Sequence, residues 1–322
     1  MRNASIIPEA SLALSRPTLA DWLSLLTLGV VWGGSFGFVT VALEGYGPVT
    51  VATGRAVMGA VALVSLAILL DRPMPMRDSR IWRHVVPIGV VSSALPFFLL
   101  GWGQQHVPSA FAGLSMSAVP LFVLPLAHLL ADEPLERRRS LGFAIGFVGA
   151  AVLMLPGMTL APDGLLDTLG RLACLGAACA YAVSSILVRR VPPMDPVALA
   201  AMTLSVGAVV MLPTMLLTEG VPNWAGPRPA LALIFLGLVP TGFAALLRVT
   251  VIRSAGPGFL TLVNYQIPLW ALLFGALFLG EVLEPRFFAA LALIVAGLAV
   301  TQWSDIAGLV RRLGGATRPP SS

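Results

Sequence analysis

Residues 257–284 read PGFLTLVNYQIPLWALLFGALFLGEVLE, and a stretch with the same grammar, PSAFAGLSMSAVPLFVLPLAHLLADEPLE at 108–136, stands about 148 residues earlier. On that offset Pro120 aligns with Pro268, Leu121 with Leu269, Glu133 with Glu281, Leu135 with Leu283 and Glu136 with Glu284. Each stretch is an apolar helix of membrane length that opens at Pro-Ser or Pro-Gly, carries a proline in its body and stops at a carboxylate cluster. A proline inside a helix removes one backbone hydrogen bond and crowds the turn before it. Prolines matched at the same depth therefore mean matched breaks.

The offset continues outward from this pair. Pro48 meets Pro196, Val49 meets Val197, Ala52 meets Ala200, Gly59 meets Gly207, Ala60 meets Ala208, Gly89 meets Gly237, Val91 meets Val239 and Gly149 meets Gly297. A chain rich in Ala, Leu, Val and Gly matches itself often by chance, but not at prolines and paired glutamates together. The sequence is read as two copies of one unit.

Composition says where those units reside. Of the 322 residues, 57% are hydrophobic and only 11% charged, with a mean hydropathy of +0.90. A soluble domain carries about a quarter charged residues, so this chain lacks the means to coat a soluble core. All 20 basic residues are Arg, and the net charge of +5 is concentrated in short loops between apolar runs, which points to membrane topology rather than to nucleic acid. Cys174 and Cys179 lie five apart in one apolar run and form neither a ligand pattern nor a disulfide pattern, so they are read as packing residues. No metal and no cofactor is expected. No cleavable signal peptide is evident, because the first apolar run is too long and no Ala-x-Ala site follows it.

Charge-free runs mark the spans. Between Asp21 and Glu44 lie 22 uncharged residues, enough to cross a hydrocarbon core of ~30 Å at about 1.5 Å per residue. Span two runs from Pro48 to Leu70, interrupted by Arg55. From His84 to Ala131 no formal charge appears for 48 residues, which fits two spans broken at Gly101–Ser109. Spans five to ten follow as Ser140–Pro162, Leu172–Val188, Pro196–Thr218, Pro229–Ile252, Ser254–Gly280 and Phe287–Ser304. The expected architecture is an all-α polytopic membrane protein of ten transmembrane helices. Its parts are a tail at 1–20, a first repeat at 21–156, a linker at 157–168, a second repeat at 169–304 and a tail at 305–322.

With the N-terminal tail inside, fifteen arginines fall on the cytoplasmic side, only Arg171, Arg228 and Arg286 fall outside, and Arg55 and Arg248 lie within spans. This asymmetry places both termini in the cytoplasm. Since each unit holds five spans, an odd number, the second must enter the membrane in the opposite sense. Inverted repeats are the hallmark of alternating-access transporters, whose substrate site lies near the midplane between the halves.

WGGSF at 32–36, GPVTVATGRAVMGA at 47–60 with Arg55, and the two proline-to-glutamate blocks ending ADEPLE and LGEVLE resemble the EamA family of the drug/metabolite transporter superfamily. The resemblance covers about Trp22 to Trp303. It implies two EamA repeats and movement of small metabolites, often export of amino acids, across the bacterial inner membrane. The repeats have diverged: Tyr181 stands where span one has its WGG sequence, and Thr203 stands opposite Arg55.

Candidate site residues follow from what does not belong in hydrocarbon. No Asp or Glu lies deep in any span, so a cationic drug held on a buried carboxylate is disfavoured and a neutral, zwitterionic or anionic solute fits better. Arg55, about seven residues into span two and roughly 10 Å deep, either forks onto a substrate carboxylate or is held by packing and helix-end carbonyls. Asn264, Tyr265 and Gln266 interrupt an apolar run and must face protein or a water-filled cavity. Ser117, with Ser115, occupies the corresponding part of span four. Trp32, Phe36, Phe97, Trp102 and Tyr181 could wall a cavity, although Trp and Tyr near span ends also serve as interface anchors. Gln105, with Gln104 and His106, forms an outer turn that could gate. Prolines in span bodies, Pro96, Pro120, Pro240 and Pro268 with Pro125, are expected to be hinges. Gly29, Gly33 and Gly37, and Gly142 with Gly146, form small-xxx-small stripes that predict close helix packing. The acidic ADEPLE and GEVLE ends are expected to charge helix ends and seal the ends of the repeats.

The leading functional reading is a metabolite exporter that is not an enzyme, with the lipid bilayer and a small-molecule substrate as its partners and a complete pathway enclosed by a monomer. Multidrug efflux is the second reading. A membrane-embedded enzyme is a third, and would need a cluster of His, Asp, Glu or Cys at one membrane face that the acidic loops do not provide.

Overall fold

The computed structural model describes residues 17–131, 137–155, 164–255, 257–260, 262–301 and 303. The carboxylate cluster Asp132, Glu133 and Glu136, most of the 157–168 linker and nearly all of both tails lie outside the described residues.

The chain folds into helices, which we number by continuous run. They are α1 (Leu19–Leu43), α2 (Pro48–Leu69), α3 (Ser79–Gly103), α4 (Ser109–Ser115, Met116–Ala118 and Val119–Ala131), α5 (Arg137–Met154), α6 (Leu165–Val188), α7 (Pro196–Thr218), α8 (Pro227–Gly237, Leu238–Phe243 and Ala244–Ala255), α9 (Val263–Leu279, after a helical turn at Pro257–Leu260) and α10 (Pro285–Thr301). No strand occurs among the described residues. Helices α1, α2, α3, α6, α7 and α8 are long and apolar enough to cross a membrane, and shorter apolar helices run in α4, α5, α9 and α10. Large apolar side chains such as Val61, Val209, Leu231 and Leu277 stand exposed, the surface a lipid-facing protein presents. This is a multi-pass membrane protein.

Local sequence sets several boundaries. Thr18 caps α1 by accepting from the Asp21 N–H while the Asp21 carboxylate accepts from the Thr18 N–H, a capping box. Proline occupies the start of α2 and α7, where its missing N–H removes no intrahelical bond. Helix α6 begins at Leu165, earlier than the expected Leu172, so Arg171 lies in a helix rather than in an outer loop. It is buried, pairs with Asp167 one turn back at 2.7 Å and donates to the Met154 carbonyl at 3.0 Å. Those partners allow the helix to run through a charged residue.

The packing exchanges equivalent helices between the two halves. Helix α1 packs on α8 and α9, and α6, its partner on the 148-residue offset, packs on α3 and α4. Helices α2 and α7 pack on each other, as do α5 and α10. Both self-pairs run antiparallel. The start of α2 meets the residue after α7 through Glu219, and the residues just beyond α2 meet the cap of α7 through an Arg72–Asp195 ion pair at 3.6 Å. In the other pair Gly149 faces Ile294, whereas Gly297 faces Gly142 and Gly146.

The small-residue stripes are where the crossings are closest. A Cβ on Gly33 would stand 2.5 Å from Trp270 Cβ and 2.7 Å from the Ile267 carbonyl, so only glycine lets α1 lie this near α9.

Candidate functional site

Arg55 is a buried cation in the body of an apolar helix. Helix α2 begins at Pro48, and two turns later Arg55 projects from a face lined by Ala52 and Ala56, whose small side chains let neighbouring helices close in. It is 8% exposed. Its guanidinium lies 4.0 Å from the centroid of the Phe97 ring of α3, a face-on cation–π contact. Arg55 and Phe97 thus meet where α2 crosses α3, and α3 in turn packs on α6 of the other half, the helix that carries Tyr181.

No carboxylate among the described residues neutralises this charge. Arg72, Arg171, Arg228 and Arg286 each pair with a carboxylate. Arg55 makes no ion pair or hydrogen bond among the described residues, and its Nε–H is buried without a partner. Arg248, the other arginine expected within a span, has its side chain exposed on α8.

The remaining candidates divide between three places. Phe36 of α1 is buried in a core with Leu100, Ala110 and Phe111, and Tyr181 packs half-buried against that core, which is distinct from the cluster of Ala52, Ala56 and Phe97 beside Arg55. Trp32 lies on the α1–α8–α9 side, where its Nε1–H donates to the Pro240 carbonyl at 3.1 Å. Asn264 and Tyr265 sit half-buried in the first turn of α9, the Tyr265 hydroxyl enclosed without a partner. Ser117 is buried, its hydroxyl turned back on the Leu114 carbonyl within the Met116–Ala118 3-10 turn. Trp102 packs edge-on against His106, centroids 4.8 Å apart, at the end of α3. Gln105 is exposed on the turn that follows. Its neighbour Gln104 goes inward, accepts from the Thr40 hydroxyl at 3.3 Å and leaves its amide nitrogen without a partner. Gln104 belongs with the interior, and Gln105 does not.

The prolines sit where the backbone leaves α geometry. Pro96 stands one residue beyond a π turn at Val90–Ala94, Pro240 lies within a second at Leu238–Phe243, and Pro120 stands one residue beyond the 3-10 turn of α4. Pro268 lies inside α9. The two π turns start 148 residues apart, although their prolines do not align. What aligns is a hydroxyl: Ser93 donates to the Gly89 carbonyl at 2.6 Å and Thr241 to the Leu236 carbonyl at 2.9 Å. Pro240 has no N–H to give Leu236, and Thr241 supplies the missing donor. Each hydroxyl residue also presses on a glycine of the opposite half, Thr241 on Gly59 and Ser93 on Gly207. That explains the Gly59–Gly207 match. Residues 93 and 241 were missed as a pair because Ser and Thr do not align by identity.

At one end of the bundle, two carboxylates cap helices of the other half. Glu219 accepts from the N–H groups of Val49 and Thr50 at 3.0 and 2.8 Å, and Glu281 from those of Ser109 and Ala110 at 2.6 and 2.9 Å. Each satisfies two of the four N–H groups that a helix start leaves open and complements its dipole. The GEVLE segment thus charges a helix terminus, that of α4.

The EamA-like transporter family model matches residues 20–155 and again 168–303. The chain belongs to the EamA-like transporter family. Among related members of this family, the "Probable terminal-alkyne amino-acid exporter" of Streptantibioticus cattleyicolor is 29% identical over 87% of this chain and 92% of its own length. "Protein PecM" of Dickeya dadantii is 26% identical over 88% and 91%, and the "Uncharacterized inner membrane transporter YedA" of Escherichia coli K12 is 25% identical over 84% and 87%. A solved crystal structure superposes with a TM-score of 0.64, covering 90% of this EamA chain and 99% of the other at 20% identity, a likeness of fold.

Proposed function

We propose that this EamA-family protein is a secondary transporter of the bacterial inner membrane that exports small metabolites such as amino acids by alternating access. In this reading ten spans form two five-helix units, 21–156 and 169–304, inserted in opposite senses with both termini cytoplasmic, and one polypeptide encloses the pathway. The observation that carries it is the exchange of equivalent helices: α2 against α7 and α5 against α10 run antiparallel, while α1 and α6 each dock on the other half. Such a pseudo-symmetric pair has two equivalent ways to close, one toward each side. The printed names of the relatives, an amino-acid exporter and inner-membrane transporters, support the direction and the solute class.

The substrate lies at the midplane near Arg55, Phe97 and Tyr181, and the halves rock through the breaks of α3, α4, α8 and α9. The test is flux from proteoliposomes loaded with a defined amino-acid and organic-solute mixture under imposed proton and sodium gradients. Faster loss of at least one solute than from protein-free liposomes is expected. If every solute leaves at the protein-free rate under every gradient, the reading is wrong.

A further inference from the structure

We infer that Arg55 is a carboxylate-recognition site, and that the transported solute carries a single carboxylate group which docks in the plane of this guanidinium. The inference rests on the transport reading above and narrows its substrate class.

The geometry decides which donors remain available. The guanidinium carbon lies over the Phe97 ring, 4.0 Å from its centroid, so the ring quadrupole faces the cation and no hydrogen-bond acceptor is supplied by this neighbour. All five N–H groups point outward in the guanidinium plane. The Nε–H is buried and unpartnered, and Arg55 bonds to nothing else among the described residues. A carboxylate is the planar acceptor that matches Nε–H and one Nη–H side by side in a bidentate fork. A cation nine-tenths buried with no counter-ion among the described residues is costly in the membrane interior and is retained where something transiently supplies the missing charge.

Stoichiometry limits the ligand. One arginine balances one negative charge, and the side chain seated against it, Phe97, is aromatic rather than basic. A phosphate dianion would bring a second negative charge with no partner. A single carboxylate cancels the arginine's charge, and where the solute is an amino acid its ammonium remains outside the fork. The position also links binding to movement, because α2, α3 and α6 come from both halves and an anion bridging them in one conformation alone would favour that conformation.

Thermal shift and isothermal titration on the purified full-length protein would test this with three probes: L-phenylalanine, 3-phenylpropionate, and L-phenylalaninol, in which the carboxylate is replaced by CH2OH. Both carboxylates should bind the wild type and the alcohol should bind at least tenfold more weakly. Arg55→Gln should lower carboxylate affinity by about 10- to 100-fold, the range for losing charge-assisted hydrogen bonds, and leave the alcohol unchanged. Arg248→Gln, at an exposed arginine, should behave as wild type. Arg55→Met, an apolar replacement of similar length, serves where the Gln variant is not monodisperse and should show the same loss. Equal carboxylate affinity in the Arg55 variants overturns the inference, as does equal binding of acid and alcohol or no binding of either acid to wild type. Flux separates this result from the wider reading: solute movement without discrimination by carboxylate sinks the Arg55 assignment alone, whereas no movement of any solute sinks the transport reading.

Discussion

A charged residue inside an oily run is conspicuous in a sequence, and Arg55 was legible for that reason. Its contact with Phe97 was not, because the two residues lie on different helices and meet only where α2 crosses α3. The same limit applies to Gln104 and Gln105, adjacent amides in one turn, of which the backbone path turns one inward and the other outward. Glu219 and Glu281 read simply as charges ending spans, yet each holds the first N–H groups of a helix in the opposite half. Glu281→Ala should destabilise the protein by about 1–2 kcal/mol, the scale for removing an N-terminal cap. Glu219 is more exposed, so water can replace it and Glu219→Ala should cost less. Thermal unfolding of the purified protein in detergent checks both, and a larger loss at Glu219 would contradict the assignment.

Among the elements, the paired π turns are the feature sequence reasoning came near without reaching. Prolines marked the regions, but the equivalence of α3 and α8 resides in Ser93 and Thr241, whose hydroxyls turn back on carbonyls of their own helices. Removing one inside a helix surrounded by lipid and protein leaves a carbonyl with no donor. Thr241→Ala should therefore cost about 1 kcal/mol, and Thr241→Ser, which keeps the hydroxyl, should cost less; equal losses would mean that only the methyl group packed on Gly59 mattered. Helix α1 offers a second contrast. Gly33→Ala places a methyl 2.5 Å from Trp270 Cβ, whereas at Gly37 the nearest atom, on Leu279, is 3.6 Å away. Gly33→Ala should lower the yield of monodisperse protein in gel filtration and Gly37→Ala should not, although both belong to one stripe in the sequence. Spacing shows that such a stripe exists; how closely the partner helix approaches along it is set by the crossing angle.

For the molecule as a whole, the exchange of helices between halves makes topology and transport a joint prediction. In a background lacking Cys174 and Cys179, a cysteine introduced after Glu136 should react with a membrane-impermeant reagent from one side of oriented vesicles and one after Glu284 from the other. Labelling of both from the same side would rule out inversion. Cross-linking the α3–α4 hairpin to the α8–α9 hairpin should abolish flux, and reduction of the cross-link should restore it; undiminished flux in the cross-linked protein would rule out rocking of these pairs. Membrane residence, helix content, duplication and the charge asymmetry were all determined by the sequence alone, because hydropathy, proline spacing and arginine placement are properties of single segments in a fixed solvent. Only the tertiary structure decided that Arg55 stacks on Phe97 and bonds to no carboxylate among the described residues, that Glu219 and Glu281 cap helices of the opposite half, and that each π turn presses on a glycine of the opposite half, Gly207 in α7 or Gly59 in α2. These depend on which helices cross and at what depth, and in a chain so uniformly apolar the identity of a helix's neighbours is set by shape and small-residue fit, which no single segment encodes.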